Sequence, residues 1–242
     1  MYRSIAVAAA AITTLACVAG RSMAQSDGAA AGYVALTLTP TGGLAPVVRP
    51  WMAGVPQSGM GIDARWGSVT AGGVHMSTIV VGVSVPASGG RGDVTFTGGY
   101  LSRDCEECSG QFVAGLAAER GLFRQELDGR GTQFGLGING SIGFGKPEGG
   151  SLWSATLGTP IYLAAGKPGK VQVVPFVTPS VGVGLIVPDE SGTESGVRFL
   201  AGAGVGIVNA APGVNLHVGL QKTFIDGGKT VFGAGLSYMI PR

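Results

Sequence analysis

Two cysteines three positions apart, Cys105-Glu106-Glu107-Cys108, are the first residues of this chain whose type and spacing could do chemistry. A disulfide across a tight turn, a redox pair and a metal site all use such spacing. A thioredoxin-type redox site places the motif at the start of a helix in a βαβ unit, whereas strand-like sequence precedes this one. Structural zinc wants four ligands, and Cys105, Cys108, His75 and His217 would have to converge from distant parts of the chain. A structural disulfide between Cys105 and Cys108 is therefore the expectation, with no metal. His75 and Ser77 pair a base with a hydroxyl nucleophile at a spacing of two, but no acid lies between Ser77 and Asp93 to orient the imidazole. Gly202-Ala203-Gly204-Val205-Gly206 resembles a phosphate loop only superficially, since strand-like rather than helical sequence follows it.

The elements that must position these residues read as strands. From Phe134 to Phe144 the even positions are Phe134, Leu136, Ile138, Gly140, Ile142 and Phe144, and the odd ones are Gly135, Gly137, Asn139, Ser141 and Gly143. One face is greasy and the other small or polar, the period-two signature of a β-strand. The same alternation recurs from Trp153 to Leu163, Val171 to Leu185, Val197 to Ile207, Val214 to Gln221 and Phe232 to Ile240. Turn-forming stretches such as Gly166-Lys167-Pro168-Gly169 and Ala211-Pro212-Gly213 separate these runs, so consecutive strands should be antiparallel neighbours. Earlier, Met60 to Trp66, Ile79 to Val85 and Val94 to Tyr100 alternate too. Gln111 to Leu122 alternates weakly, and Phe112 and Leu116 also fit helical spacing. About ten strands are expected, with eight or twelve as alternatives, in one all-β domain over residues 59–242. Residues 25–58 form a lead-in, with Val34 to Thr39 a candidate first strand.

Residues 1–24 read as an export signal. Arg3 precedes the apolar run Ile5 to Val18, and Ser22-Met23-Ala24 supplies a small-x-small cleavage pattern before Gln25. Lipoprotein processing at Cys17 is the competing reading, with Thr14 where that signal prefers leucine. Cleavage removes Arg3 and Arg21, so 16 basic and 14 acidic residues become 14 and 14. A neutral chain offers nothing to nucleic acid. Charged residues make up 12% of the chain, about half the usual share. No later segment carries the roughly 20 uninterrupted apolar residues that a membrane helix needs. In lipid the remaining architecture is a closed barrel, whose strands satisfy every backbone group.

The face opposite the greasy one separates a membrane barrel from a soluble one. A soluble barrel points its greasy face inward and needs charged groups outside. Arg198 and Lys222 are the only charges in the six clearest strands. Eleven residues at about 3.3 Å each, tilted near 40°, also rise about 28 Å, close to the hydrocarbon thickness. Asp63, Arg65, Arg198, Asn215, His217 and Gln221 fall in the small-polar register and should face the lumen. Near ten strands the interior is mostly filled by side chains, so these residues should plug the lumen rather than line a channel.

Over Thr132 to Ile240 the chain resembles the outer-membrane β-barrel proteins of Gram-negative bacteria, through glycine-alternating strands such as Phe199 to Ile207 and the last hairpin, Gly213 to Tyr238. The resemblance implies a closed antiparallel up-and-down barrel in the outer membrane, surrounded by lipid and lipopolysaccharide. It also implies delivery by the barrel-assembly machinery, a monomer and no cofactor. That family usually ends in an aromatic residue, whereas this chain ends Tyr238-Met239-Ile240-Pro241-Arg242. Its expected role is non-enzymatic: envelope structure, surface contact or limited passage of small solutes. His75-Met76-Ser77 is similar to the His-x-Ser pair of outer-membrane lipid A deacylases, but Thr78 stands where that family has asparagine and the family's pair lies near its C-terminus. A lipid-modifying enzyme and a soluble periplasmic ligand-binding barrel are the two competing classes.

Overall fold

The computed structural model describes residues 48–55, 59–71, 74–87, 89–104, 110–146, 150–189, 192–224 and 228–240. The export signal, Val34 to Thr39, Cys105 and Cys108 lie outside the described residues.

Among the described residues eleven β-segments follow a 3-10 turn at Pro50–Ala53: β1 Gly61–Ala71, β2 Val74–Pro86, β3 Gly92–Asp104, β4 Gln111–Glu126, β5 Gln133–Lys146, β6 Gly150–Gly158, β7 Ile161–Ala164, β8 Gln172–Pro188, β9 Glu194–Ala211, β10 Val214–Phe224 and β11 Thr230–Met239. β6 and β7 are two halves of one stave, since both pair with β5 on one side and β8 on the other. The break falls at Thr159 and Pro160, where proline has no N–H for a ladder bond. The freed groups are still used: Gly137 N donates to Pro160 O at 2.8 Å and Thr159 N to Pro179 O at 3.0 Å. Ten staves therefore run antiparallel in sequence order, as the alternation predicts.

The sheet closes. β1 pairs with β11 from Gly61↔Met239 to Ser68↔Phe232, and Ile240 N donates to Met60 O at 2.8 Å. Closure removes the exposed edges that an open sheet of this size would offer to other strands. Gln111 to Leu122, the segment with a competing helical reading, is strand: β4 pairs with β3 and β5 along its length, with one irregularity at Gly121/Phe123. Phe112 and Leu116 are four apart, a spacing that keeps two residues on one face in a strand as well as in a helix.

The inside–outside assignment follows the alternation. Ile79, Phe96, Phe112, Ile142, Trp153, Val177, Phe199, Val218, Phe232 and Leu236 are among the large apolar side chains exposed around the outer wall. Soluble monomers rarely expose contiguous apolar patches beyond a few hundred Å², so a continuous apolar belt suits hydrocarbon. A soluble ligand-binding barrel would point this face inward.

Antiparallel order puts the turns after β2, β4, β7 and β9 at the rim that carries Gly61 and Met239, here the terminal rim. The connections after β1, β3, β5, β8 and β10 lie at the far rim.

Candidate functional site

The lumen holds the densest constellation of polar groups, and its centre comes from outside the barrel wall. Arg49 precedes a short turn that the sequence builds locally. Pro50 fixes φ at the first position, and Gly54, at φ +76°, ends the turn in the left-handed region where side chains are disfavoured. Met52 N donates to Arg49 O at 3.0 Å and Val55 N to Pro50 O at 3.0 Å. Val48, Trp51, Met52 and Ala53 pack with Tyr162, Ala164, Val174, Phe176 and Val208, inward residues near the terminal rim. Glycines in the wall make room for this insertion. A Cβ on Gly137 would lie 3.0 Å from the Trp51 ring, one on Gly121 3.1 Å, and one on Gly206 would collide with Val48. Trp51 also meets Tyr162 edge-on, with ring centroids 5.9 Å apart.

Arg49 ties this insert to the wall. Its Nη1 lies 3.6 Å from Asp63 Oδ2 on β1 and its Nε 3.4 Å from Asp93 Oδ2 on β3. Arg49 Nη2 donates to Thr95 Oγ1 at 2.7 Å, and the Thr95 hydroxyl donates to Asp93 Oδ1 at 3.1 Å. Arg65 Nε donates to Asp63 Oδ1 at 2.8 Å. Asp63 thus sits between two guanidinium groups, which compensates its removal from water. Glu119, in the inward register of β4 opposite Asn139, adds a third carboxylate to this side of the lumen.

The residues that the alternation assigns to the lumen fall as follows. Asp63, Arg65, Arg198, Asn215 and His217 are buried, and Gln221, in the same register of β10, is partly buried. Asp63 and Arg65 join the Arg49 network. His217 lies across Gly235 from Arg65, and a Cβ on Gly235 would lie 2.5 Å from its Nε2. Asn215 Nδ2 donates to Ser237 Oγ at 3.0 Å, and Asn215 Oδ1 accepts from Asn209 N at 3.1 Å. Arg198 lies opposite Gly182 towards the far rim. Near that rim Val69, Met76, Leu101, Val113 and Val231 form an apolar cluster. Between the two apolar ends, Thr78 Oγ1, Ser84 Oγ and His217 Nδ1 are buried without a protein partner; such groups are satisfied by water in a polar lumen.

Sequence reasoning missed Arg49, Trp51, Asp93, Thr95 and Glu119. Arg49-Pro50 beside Trp51 was the available signal: a lone cation before a helix-starting proline in an otherwise uncharged stretch.

His75 and Ser77 face outward on β2, near the far rim. The imidazole lies 3.3 Å from Thr70 Oγ1 through Nδ1 and 3.4 Å from Ser68 Oγ through Nε2. Ser77 Oγ is 2.8 Å from Ser102 Oγ. Asp104 occupies the cross-strand position opposite His75, a juxtaposition that linear sequence could not reveal. The glycine run from Gly202 to Gly206 lies within β9. Among the described residues no group of three His, Cys, Asp or Glu side chains could hold a metal.

No protein-family model matches this chain. No curated protein matches it either. Among solved structures it is similar to the β domain of the Bordetella autotransporter BrkA, at 13% identity and a TM-score of 0.45 over 76% of this chain and 100% of that one. It is also similar to Ail, the attachment invasion locus protein of Yersinia pestis, in a complex with the heparin analogue sucrose octasulfate (14% identity, TM-score 0.30, 75% of this chain and 97% of that one). A third is the KdgM porin, at 8% identity and a TM-score of 0.35 over 75% of this chain and 99% of that one. The barrel assignment rests on the closed strand pairing itself, and at the level of architecture the chain resembles outer-membrane β-barrels.

Proposed function

We propose that this chain is a small, non-enzymatic outer-membrane β-barrel that acts through its outer surface and loops, in envelope structure or surface contact, while its lumen stays plugged. One observation carries this reading. The segment Val48 to Ala53 is buried inside the barrel and held there by Arg49 on Asp63, Asp93 and Thr95. A solute would have to displace an ion-paired guanidinium and the Trp51 ring, against several kcal/mol for breaking buried pairs alone. The apolar belt and the twofold alternation support membrane placement.

Conductance tests it. The full chain in planar bilayers should show no steady open channel, and Arg49→Leu combined with Trp51→Ala should open one. Steady ohmic conductance from the unaltered protein would replace the plugged reading with solute passage. Fractionation checks location: recovery in the soluble periplasm would sink the membrane reading.

A second reading, lipid modification, draws on the outward His75 with Ser68 and Thr70 at its ring nitrogens and Asp104 opposite. It requires ester release from outer-membrane lipid that His75→Ala abolishes. Equal release with and without that change would dismiss it.

A further inference from the structure

The terminal rim carries an excess of exposed cations. Arg91, Arg120, Arg130, Lys167 and Lys170 lie at the terminal rim and are exposed, while Arg124, also exposed, shares the inward register of Gly135 and approaches Gly54 of the insert. They belong to adjoining hairpins. Gly121 N donates to Arg91 O at 2.7 Å, joining the end of β4 to the turn before β3. A Cβ on Gly131 would lie 2.8 Å from Gly166 O and 3.1 Å from Lys167 Cα, so the next two turns touch. The carboxylates on this arc are Glu126 and Asp128. Asp128 is engaged in its own turn, accepting from Arg130 N, Thr132 N and the Thr132 hydroxyl. Among the described residues the far rim carries exposed charges of both signs, Asp104 and Asp189 beside Lys146, Lys222 and Lys229.

Apolar side chains interleave with the basic arc. Arg120 points outward, paired in register with Ile138 on the apolar face of β5. Leu122, Phe123 and Leu127 follow it and are 52%, 42% and 56% exposed, and Val171, beside Lys170, is 58% exposed. A soluble anionic polymer would satisfy the cations and leave these apolar groups in water. A phospholipid satisfies both, because its phosphate and its acyl chains lie within one side-chain length, the distance over which Arg and Lys snorkel.

We propose that this arc is a binding collar for anionic phospholipid headgroups, in the leaflet that meets the terminal rim. The inference rests on the membrane reading above and adds a lipid preference to it. Basic residues near an anionic surface attract it with a strength that salt screens within a Debye length.

The test measures association of spin-labelled phosphatidylglycerol and phosphatidylcholine with the full chain in phosphatidylcholine vesicles. Phosphatidylglycerol should associate severalfold more strongly, and 0.5 M salt (about a 4 to 5 Å screening length) should remove most of the preference from the unaltered protein. Two double variants, Arg120→Gln/Arg130→Gln and Lys167→Gln/Lys170→Gln, should each lower it, whereas Lys146→Gln/Lys222→Gln at the far rim should not. The salt arm needs no variant to fold. Equal association of the two lipids overturns the proposal, as does a preference that survives both salt and the arc variants. Binding of dextran sulfate to the arc without phosphatidylglycerol preference overturns it in favour of a polymer surface. A chain that enters no vesicle at all refutes the membrane reading, whereas one that inserts without preference refutes only the collar.

Discussion

Removing the Arg49 guanidinium tests the plugged barrel most directly. In Arg49→Leu, Asp63 keeps its 2.8 Å bond from Arg65, but Asp93 loses its guanidinium partner and keeps the Thr95 hydroxyl while staying buried. Breaking a buried pair by deleting one partner costs about 3 to 5 kcal/mol, because the surviving charge is uncompensated. Asp93→Asn in the same chain removes that charge, so the double variant should recover part of the loss, with a coupling energy of at least about 1 kcal/mol. Replacement of the whole network by apolar groups could be neutral, so the asymmetry between single and double variants is the informative quantity. Equilibrium urea unfolding of vesicle-inserted protein, followed by tryptophan fluorescence, supplies the free energies. Lys229→Ala, an exposed change, calibrates the method and should stay within about 0.5 kcal/mol of the unaltered protein. If Arg49→Leu also stayed within that margin, or the two changes were simply additive, Arg49 would not hold the insert in the lumen.

Further expectations concern the wall, one turn and the cysteines. A dye at Ile142→Cys, in a background lacking Cys105 and Cys108, should be quenched by lipid-borne quenchers, whereas one at Ser141→Cys should not; the reverse order would invert the facing of β5. Ile142 is 53% exposed and pairs with Leu116 and Ala155, well inside the belt, so Ile142→Arg should cost about 2 to 4 kcal/mol. The Thr132 hydroxyl bond and the Arg130 and Thr132 amides hold the Asp128 carboxyl below its ordinary pKa. A lowered carboxyl pKa makes the turn's extra order present above the unfolded value and lost as pH falls through the folded one. The protection factors of Arg130 N and Thr132 N, relative to their intrinsic exchange at each pH, should therefore fall in acid, and Asp128→Asn should remove that dependence; protection unchanged across this range would rule the linkage out. Cys105 and Cys108 should both resist alkylation in protein isolated without reductant, and two free thiols would end the disulfide assignment.

The outer wall is legible in the sequence because strand side chains alternate with period two. Phe134 to Phe144 and Phe232 to Ile240 each state which residues face lipid and which face inward, and the turns between runs fix antiparallel neighbours. The lumen placement of Asp63, Asn215 and His217 follows from the same register. Gln111 to Glu126 is less legible, because a spacing of four satisfies helix and strand alike and only pairing with β3 and β5 decides. The join of β1 to β11 brings together residues more than 160 positions apart, and no local pattern encodes such a contact. The insert is illegible for the same reason. Residues 48–55 have no periodicity, and Arg49 acquires its meaning from Asp63, Asp93 and Thr95, which closure of the barrel carries to its side. Local alternation determined the faces of this protein; long-range closure decided what fills the space between them.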